Sequence, residues 1–494
     1  MSPRFSAATP CRLDQVPQWD TETDVIVVGF GIAGACAAIE AASAGAQVTI
    51  LEVAGTHGGS AALSGGEFYL GGGTSVQQAA GFDDSPEELF KYLLLSGGPG
   101  ADAEKVRLYA DGAVDHFEWI RAQGVPFKGT FLPGKWLEPV TDDTLIWSGS
   151  EAAWPFSTAA KPAPRAHAAQ MEGMGAGRIV MDAFAARALA AGAEARFNAR
   201  TLCLVADAVD AVHGVVARID GEVRYLRARK GVILCAGGFI CNTEMLQRFA
   251  PAALEAAGLP TTGGNDDGSG IRMGMSVGGA VSHMEEFFAT KPSFPPDNMV
   301  FGIFVNERGQ RFINEDVYHG RATRYLMRQP NGRAWLLMDN AIFARPDFNP
   351  DIHIAAVGES WAEVEAELGL PAGELVHTVE SYNRYAAAGE DPVFHKGAKW
   401  MQPLVEPPFA ALSFGADDYP ATGFTLGGLL TRPTGEVLNA DGEPVPGLFA
   451  AGRTSCGLPR WGEGYCSGIS LGDGSFFGRL AGRHVAALPV DKPW

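Results

Sequence analysis

The sequence contains few cysteines, and none of them forms a paired motif. The seven cysteines lie at positions 11, 36, 203, 235, 241, 456 and 466, with no CxxC pair and no CxxCH haem attachment motif. Secreted domains that depend on disulfides are much richer in cysteine than this. We therefore expect reduced thiols and a cytoplasmic protein without attached haem. No spacing of His, Cys or acidic residues argues for a metal site.

Positive charge is also scarce. The chain has 38 Lys and Arg residues against 57 Asp and Glu, which gives a formal net charge of −19. Nucleic acids and anionic membrane surfaces attract basic proteins, so neither is an expected partner. No uncharged apolar run outside an Ala/Gly-rich helix reaches the roughly 18 residues of a membrane span, so none is expected. The first twenty residues are polar, do not resemble a signal sequence, and are expected to form a loose arm.

Glycine, in contrast, is abundant. The 63 glycines are concentrated in GG and GxG clusters, where the backbone approaches a ligand closely or takes a positive φ. A chain of 494 residues with 46% hydrophobic and 19% charged residues is expected to fold into at least two globular domains.

The N-terminal segment predicts a βαβ unit. Residues 24–29 form an apolar run that enters a glycine turn, residues 32–44 are Ala-rich with helical character, and residues 47–52 form a second apolar run. Apolar runs of this kind are typical of buried parallel strands joined by a helix.

The turn of this unit carries a dinucleotide-binding pattern. Gly29 permits the tight turn, Gly31 lets the backbone approach a pyrophosphate, and Gly34 lets helix and strand pack closely. The helix N-terminus favours bound phosphate. Glu52 ends the second strand, where an acidic residue accepts hydrogen bonds from a ribose.

Further glycine clusters favour FAD over NAD, because an extended FAD needs several close backbone contacts. They occur at Gly58–Ser60, Ala236–Gly238 and Ala450–Arg453. His57, beside the first cluster, is interpreted as a loop histidine, so the expected FAD is non-covalent.

The rest of the chain is predicted from its periodicity. Helices are expected over 102–123 and 178–191, and a β meander with a return strand over 201–234. Residues 58–73 read as a loop, and residues 127–177 as an irregular cap.

The motif set resembles the fumarate reductase and 3-ketosteroid dehydrogenase superfamily of flavoproteins. It comprises GxGxxGxxAAxxAAxxGAxVxxLE, GGxSxLSGG, AGGF, and GLFAAG…SLGD…FGRLAG. The second of these reads GGSAALSGG at residues 58–66 of this chain. The resemblance implies an α/β fold, with a Rossmann-like FAD-binding domain and an inserted α+β catalytic domain that caps the substrate. We expect the FAD domain over 1–283 and 413–494 and the insert over 284–412.

The resemblance and the glycine pattern together define an expected cofactor-binding set. It consists of Gly29, Gly31, Ile32, Ala33, Gly34, Glu52, Gly59, Ser60, Ser64, Gly65, Gly66, Val205, Ala236, Gly237, Gly238, Asp267, Gly452, Arg453, Ser470 and Leu471.

Two motifs bear on the reaction. Fumarate reductases carry a proton-donating Arg shortly after an NE pair, and a HTMGG motif for a substrate carboxylate. Here the NE pair is followed by Asp-Val-Tyr-His-Gly, and the second motif reads FTLGG without a His. Fixed cations for a dicarboxylate are therefore missing, although Arg321 could compensate. An ene-carboxylate reductase remains an alternative.

Other residues favour the steroid branch. Tyr318 matches a tyrosine that 3-ketosteroid dehydrogenases carry after the NE motif, and Tyr465-Cys466-Ser467 resembles the Tyr-x-Ser of the Δ4-(5α) enzymes. The Δ1 enzymes usually show Tyr-x-Gly-Pro-Gly here and a PDY tyrosine, which this chain lacks. The resemblance therefore favours desaturation at C4–C5, with the Δ1 reaction as alternative.

This reaction removes a C4 proton, which is α to the carbonyl, and a C5 hydride, which FAD accepts. We expect Tyr465 to act as base with Ser467 supporting it, and Tyr318 to bond near the ketone. A tyrosine needs neighbours that stabilise its phenolate for this role. The reverse enone reduction and a non-catalytic flavoprotein remain open, as do the electron acceptor, the 5α or 5β preference, the ring-D specificity and the oligomeric state.

Overall fold

A computed structural model describes residues 5–490 of the chain. The strands are β1 Cys11–Arg12, β2 Thr21–Val28, β3 Val48–Leu51, β4 Glu67–Tyr69, β5 Leu145–Ile146, β6 Ala166–Ala168, β7 Glu194–Arg196, β8 Ala199–Ala206, β9 Val212–Ile219, β10 Glu222–Leu234, β11 Val281–Ser282, β12 Phe287–Thr290, β13 Ile303–Asn306, β14 Ala334–Met338, β15 Ile354–Gly358, β16 Phe409–Ser413, β17 Thr422–Thr425, β18 Gly428–Leu429, β19 Glu436–Leu438 and β20 Pro444–Ala450. The helices are α1 Ile32–Ser43, α2 Ser75–Ala79, α3 Pro86–Ser96, α4 Ala103–Ala122, α5 Phe156–Ala159, α6 Gly177–Ala190, α7 Thr243–Phe249, α8 Ser269–Met275, α9 His319–Leu326, α10 Trp361–Leu368, α11 Glu374–Ala388 and α12 Ile469–Ala487.

A parallel sheet forms the centre of the molecule. Its strands run in the order β20–β10–β2–β3–β7, and each neighbouring pair is parallel. The predicted βαβ unit is β2–α1–β3, within three residues of each expected boundary. Four consecutive apolar residues of β2, Val25 to Val28, are buried because both faces of the strand are covered: Val25 and Val27 lie in the core around α1 and α12, and Ile26 and Val28 lie in a second cluster with residues of β8 and β9.

The predicted meander adjoins this sheet. Strands β8, β9 and β10 pair antiparallel in sequence order. The last strand of the meander and the return strand are one strand, because β10 pairs with β9 over 222–227, with β2 over 226–234 across an irregularity between Ala228 and Gly231, and with β20 over 232–234. A single strand therefore ties the meander to the central sheet.

Two stretches expected to be irregular contain short strands. Glu67 to Tyr69 forms β4 inside the predicted loop, and β5 and β6 lie inside the predicted cap. These three strands make one small antiparallel sheet, in which β6 pairs with both of the others. Sequence periodicity missed them because two- and three-residue strands carry no readable alternation.

A second hydrophobic core lies mostly between Met299 and Tyr419. It is built on the antiparallel sheet β13–β14–β16–β15, with α10 and α11 packed beside it. Strands β12 and β17 pair with each other at the junction with the rest of the chain. This arrangement confirms the α/β fold with a Rossmann-like domain and a capping domain, while the boundaries at 284 and 412 stay predictions.

Helices α1 and α12 pack against each other through glycines. A Cβ atom at Gly482 would collide with the carbonyl oxygen of Ala37, and one at Gly478 with the carbonyl oxygen of Ala33. At Gly474 the nearest atom would be a methyl carbon of Ile32, at 3.1 Å. The two backbones can therefore approach closely only because the facing positions lack side chains.

No helix within residues 5–490 has the length and apolar composition that crossing a bilayer requires. In the same part of the chain no group of His, Cys, Asp or Glu side chains is arranged to hold a metal ion.

We expect Gly482→Ala and Gly478→Ala to destabilise the protein by about 1–3 kcal/mol each, because the added methyl group meets rigid backbone. The gain in helix propensity, about 1 kcal/mol, offsets part of this cost. Urea unfolding measures the effect. Gly474→Ala is the matched control, because its neighbour is a side-chain methyl that can move. Equal stability of all three variants would contradict the packing argument.

Candidate functional site

A cavity of about 740 Å³ opens between the central sheet, the N-terminus of α1, the β12–β17 pair and the start of α9. It brings together the two ends of the chain. Of the expected site residues, its wall contains Gly29, Gly31, Ile32, Ala33, Glu52, Gly59, Ser60, Ser64, Gly65, Ala236, Gly237, Asp267, Tyr318, Gly452, Arg453, Tyr465, Ser467, Ser470 and Leu471.

The glycine turn is built for close backbone approach. Gly29 has a φ of 103°, and a Cβ there would collide with the carbonyl oxygen of Cys235. Gly31 caps α1, and a Cβ on it would meet only the carbonyl oxygen of Gly58, at 3.9 Å. The N-terminus of a twelve-residue helix therefore faces open space in the cavity wall, as a phosphate site requires.

Glu52 is held in place by backbone amides. Its two carboxylate oxygens accept hydrogen bonds from the backbone N–H groups of Phe30, at 2.7 Å, and Ala54, at 2.8 Å. The side chain is buried and lines the cavity. A carboxylate oriented in this way can accept further hydrogen bonds from ribose hydroxyls, since each oxygen has two lone pairs.

Four expected residues do not line the cavity. Gly34 packs on the carbonyl oxygen of Gly29, Gly66 on Ala176, and Gly238 on Thr425, so each permits a close contact inside the fold. Val205 is a correction, because its side chain is buried with Cys11, Cys203 and Val216. The cavity is instead lined by residues at the start of the same strand, namely Ala199, Arg200 and Thr201.

Buried polar atoms without partners mark both ends of the cavity. Within residues 5–490, His57 Nδ1 and Thr201 Oγ1 at the glycine-turn end are buried and unbonded, as are Glu67 Oε1 and His319 Nε2 at the other end. Buried polar groups are almost always hydrogen-bonded, so such atoms indicate a ligand. The unbonded atoms of His57 and Thr201 fit a dinucleotide that lies beside Gly31 and Glu52.

Four hydroxyl-bearing side chains meet at the opposite end, but not in the expected pairs. The hydroxyl of Tyr318 lies 2.6 Å from that of Ser467, whereas the hydroxyl of Tyr465 lies 3.0 Å from that of Ser470. The expectation that Ser467 supports Tyr465 is therefore wrong. Ser470, expected to bind cofactor, is the hydroxyl partner of Tyr465.

Both tyrosines are deeply buried, and burial raises their pKa values above the ordinary range. The hydrogen bond from Ser467 opposes this shift for the pKa of Tyr318, and the bond from Ser470 opposes it for the pKa of Tyr465. Each phenol is therefore protonated at neutral pH in the absence of ligand.

A pair of carboxyl groups lies beside these hydroxyls. A side chain at Gly65 would collide with both Glu67 and Glu138, so the two carboxyl groups are neighbours in the cavity wall. Burial raises the pKa of both, and the charge of Glu138 raises the pKa of Glu67 further. Two adjacent buried carboxylates repel, so ionisation of both members of the pair at once is disfavoured.

The arginines of the cavity wall are paired with carboxylates. Arg453 bonds to Asp266, Arg200 to Asp267 at 2.9 Å, and Arg178 lies 3.6 Å from Asp182. Arg321 is not in the wall, and its guanidinium lies 3.5 Å from Glu463. It does not supply the cation that a dicarboxylate would need.

The chain belongs to the FAD binding domain family, whose model matches residues 24–468. FAD is therefore its cofactor, as the sequence predicted. The pyrophosphate would lie at Gly31 and the N-terminus of α1, a ribose at Glu52, and the remaining contacts would come from Ala236–Gly237 and Gly452.

Three known proteins are similar to this chain over most of its length. A 3-ketosteroid-Δ4-(5α)-dehydrogenase from Rhodococcus jostii RHA1, solved with 4-androstene-3,17-dione, shares 42% identity at a TM-score of 0.91, covering 97% of this chain and 100% of that chain. A 3-oxo-5-alpha-steroid 4-dehydrogenase of Comamonas testosteroni is 28% identical over 88% of this chain and 93% of the relative. A probable fumarate reductase of Shewanella frigidimarina is 26% identical, over 95% of this chain and 76% of the relative.

Sequence reasoning assigned no role to several residues of the wall. Glu67, Glu138 and Thr290 carry no motif, and His319 was noted only as a neighbour of Tyr318. Glu67 follows the GG pair directly, and a charged residue inside an otherwise apolar and glycine-rich segment was the available signal.

We expect Glu67→Gln to stabilise the protein increasingly as the pH rises. The pKa of Glu67 in the folded state lies above its ordinary value of 4.5, so its contribution to stability is complete below that value and is lost as the pH rises through the folded-state pKa. Glutamine carries no such penalty. Urea midpoints measured from pH 5 to about 9 test this, since the window starts at the unfolded pKa. Glu222→Gln, on the exposed start of β10, is the control. A difference that is constant with pH would contradict the raised pKa.

Proposed function

We propose that this chain desaturates 3-ketosteroids at C4–C5, with FAD as the hydride acceptor. The single observation that supports this best is the meeting of Tyr318, Ser467 and Tyr465 at one end of the FAD cavity. The solved relative that is 42% identical over almost the whole chain is a 3-ketosteroid-Δ4-(5α)-dehydrogenase, which supports the same reaction.

The character of the cavity supports a flat, uncharged substrate. Phe288, Pro292, Phe348 and Phe424 line the end that holds the hydroxyl groups. Ring pairs fix this wall, with Phe288 at 4.4 Å from Tyr465 and 5.1 Å from Phe424, centroid to centroid. Apolar walls with a few placed polar groups are typical of small-molecule sites.

The proposed reaction separates into proton and hydride removal. The C4 proton is acidic because the C3 carbonyl stabilises the developing enolate, and a hydrogen-bond donor on the carbonyl oxygen strengthens that effect. When bound, FAD supplies a hydride acceptor for the C5 hydrogen.

The hydroxyl pairs lead us to assign the proton to Ser467 and Tyr318. These two oxygens, 2.6 Å apart, can relay a proton after Tyr318 has released its phenolic proton to solvent: Ser467 takes the C4 proton while its own hydroxyl proton passes to the Tyr318 phenolate. Tyr465 stands outside this pair. Its raised pKa keeps it protonated, which suits a donor to the C3 oxygen. This exchanges the roles expected from the sequence, in which Tyr465 was the base.

Two alternatives have less support. An ene-carboxylate reductase needs a cation for its substrate, and the wall arginines, like Arg321, already face carboxylates. The Δ1 reaction would use the same cofactor and ketone with a different proton, so product analysis separates it. We further propose a cytoplasmic location, supported by seven free thiols of which six are buried.

We expect a 5α-3-ketosteroid to bleach the flavin of the purified holoprotein in air-free buffer, with an enone ultraviolet band appearing together with the bleaching. Product analysis then locates the new double bond. No bleaching, combined with reoxidation of pre-reduced flavin by an enone or an ene-dioate, would mean that the protein works as a reductase.

The two roles are separated by comparing Tyr465→Phe and Ser467→Ala. Loss of a proton acceptor should slow flavin reduction about 10²–10⁴-fold in Ser467→Ala. Loss of the ketone donor should also slow reduction, and it should weaken binding of the enone product about 2- to 12-fold in Tyr465→Phe, since one net hydrogen bond is lost. Spectral titration of the oxidised flavin measures this binding.

Tyr382→Phe is the matched control, because Tyr382 is a buried tyrosine of the second core that lies outside the cavity. It should leave both measurements unchanged. If Tyr318→Phe weakened product binding while Tyr465→Phe did not, the roles expected from the sequence, with Tyr318 at the ketone, would be restored.

A further inference from the structure

We propose that His319 binds a second oxygen atom of the steroid, distinct from the C3 ketone, and thereby determines specificity. This inference rests on the proposed function, and it adds a substrate class: 3-ketosteroids that carry another keto or hydroxyl oxygen on rings C or D.

His319 is placed to meet a ligand. It is the first residue of α9, its side chain is buried, and it lines the cavity. Its Nε2 atom has no hydrogen-bond partner within residues 5–490. A buried imidazole nitrogen left unbonded at a cavity wall costs free energy that a bound polar atom recovers.

The other ring nitrogen fixes which atom carries the hydrogen. His319 Nδ1 bonds to the hydroxyl of Thr290. Within residues 5–490 this hydroxyl makes no other hydrogen bond. If Thr290 donates, both its hydrogen and the Nδ1 lone pair are satisfied. The reverse tautomer would leave the threonine hydrogen without an acceptor. His319 therefore carries its hydrogen on Nε2 and offers a donor to the cavity.

Packing holds the ring rigidly. Its centroid lies 3.9 Å from that of Tyr318 and 5.5 Å from that of Phe294. Thr290, which orients it, belongs to strand β12 and is tied into the β12–β17 pair. A donor with a fixed direction discriminates between ligands better than a flexible one, because little entropy is lost on binding.

The donor is uncharged. Burial lowers the pKa of His319 well below its ordinary value, and the nearby ammonium of Lys135 lowers the pKa further. A neutral donor packed against the rings of Phe288, Phe294 and Tyr318 suits a keto or hydroxyl oxygen on an apolar skeleton better than a carboxylate.

His319 and Tyr465 serve different atoms. Phe288 contacts both, at 4.4 Å from Tyr465 and 6.4 Å from His319, centroid to centroid. In the described part of the chain no ring contact joins the two donors directly. With Tyr465 on the C3 oxygen, His319 is left for an oxygen elsewhere on the ring system.

The test compares substrates that differ by one oxygen. We measure kcat/KM for flavin reduction with a 5α-3-ketosteroid that has no other oxygen and with its counterparts oxygenated on ring C or ring D. The ratio of kcat/KM, oxygenated over plain, should fall about 2- to 12-fold in His319→Phe for one of these counterparts, since one hydrogen bond is lost.

Two further variants distinguish the loss of this hydrogen bond from a folding defect. His319→Gln keeps an N–H donor and should recover part of the ratio, whereas Thr290→Val removes the hydroxyl that orients the ring and should lower the ratio for the same counterpart. His377→Phe, on the exposed side of α11, should leave the ratio unchanged.

A uniform loss across all substrates would overturn the inference and make His319 part of the reaction itself. An unchanged ratio in every variant would also overturn it and mean that water alone meets Nε2. If the wild type turned over no steroid, the proposed function would fail; spectral titration with the same steroid pairs would then give the ratio of affinities, so the two failures are distinguishable.

Discussion

The close approach of α1 to the sheet and to α12 is the constraint on which the rest of the site depends. Gly34 seats α1 on the turn at Gly29, and Gly478 and Gly482 seat α12 on the other side of α1. This fixes the helix N-terminus at the cavity. The same contacts fix the start of α12, and the residues directly before it are Tyr465 to Gly468. One packing arrangement thus positions both the phosphate end and the hydroxyl end.

Chain topology completes this arrangement. Strand β10 carries the Ala236–Gly238 turn to the cavity, and β20 beside it carries the turn at Gly452. Parallel strands deliver their carboxyl ends to one edge of a sheet, where ligands of open α/β folds bind. Residues separated by more than two hundred positions therefore meet one cofactor, while the start of α9 contributes Tyr318 and His319 from the other side.

Much of this was accessible from the sequence, for identifiable reasons. The βαβ unit was predicted to within three residues because its apolar runs, glycines and Glu52 all carry the same information. Motif reasoning also selected Tyr318, Tyr465 and Ser467, which lie in one cavity wall. It could not pair their hydroxyls. Ser467 and Ser470 both follow Tyr465 closely, and only the turn at Gly468 decides which of them faces Tyr465.

The misplacement of Val205 has a related cause. Strand residues alternate between faces, and β8 contains irregularities in its pairing with β9. The sequence of β8 therefore does not show which of its residues line the cavity. Residues at the start of the strand line it, whereas Val205 near the end was expected to. The unassigned residues Glu67, Glu138 and His319 line one cavity only after three separate segments have folded.

The fold also determines how charged residues are arranged around the cavity. The chain carries a net charge of −19, yet charge in the wall of the cavity is largely compensated, because its arginines face carboxylates, Glu52 accepts two backbone N–H bonds, and burial raises the pKa of Glu67 and Glu138. Free cations would hold carboxylates, and free carboxylates would oppose the loss of a proton from a tyrosine. A site in which both are suppressed suits the neutral ketone that we propose as substrate. In the proposed reaction, charge would be stabilised where it develops, at the ketone oxygen that we assign to Tyr465.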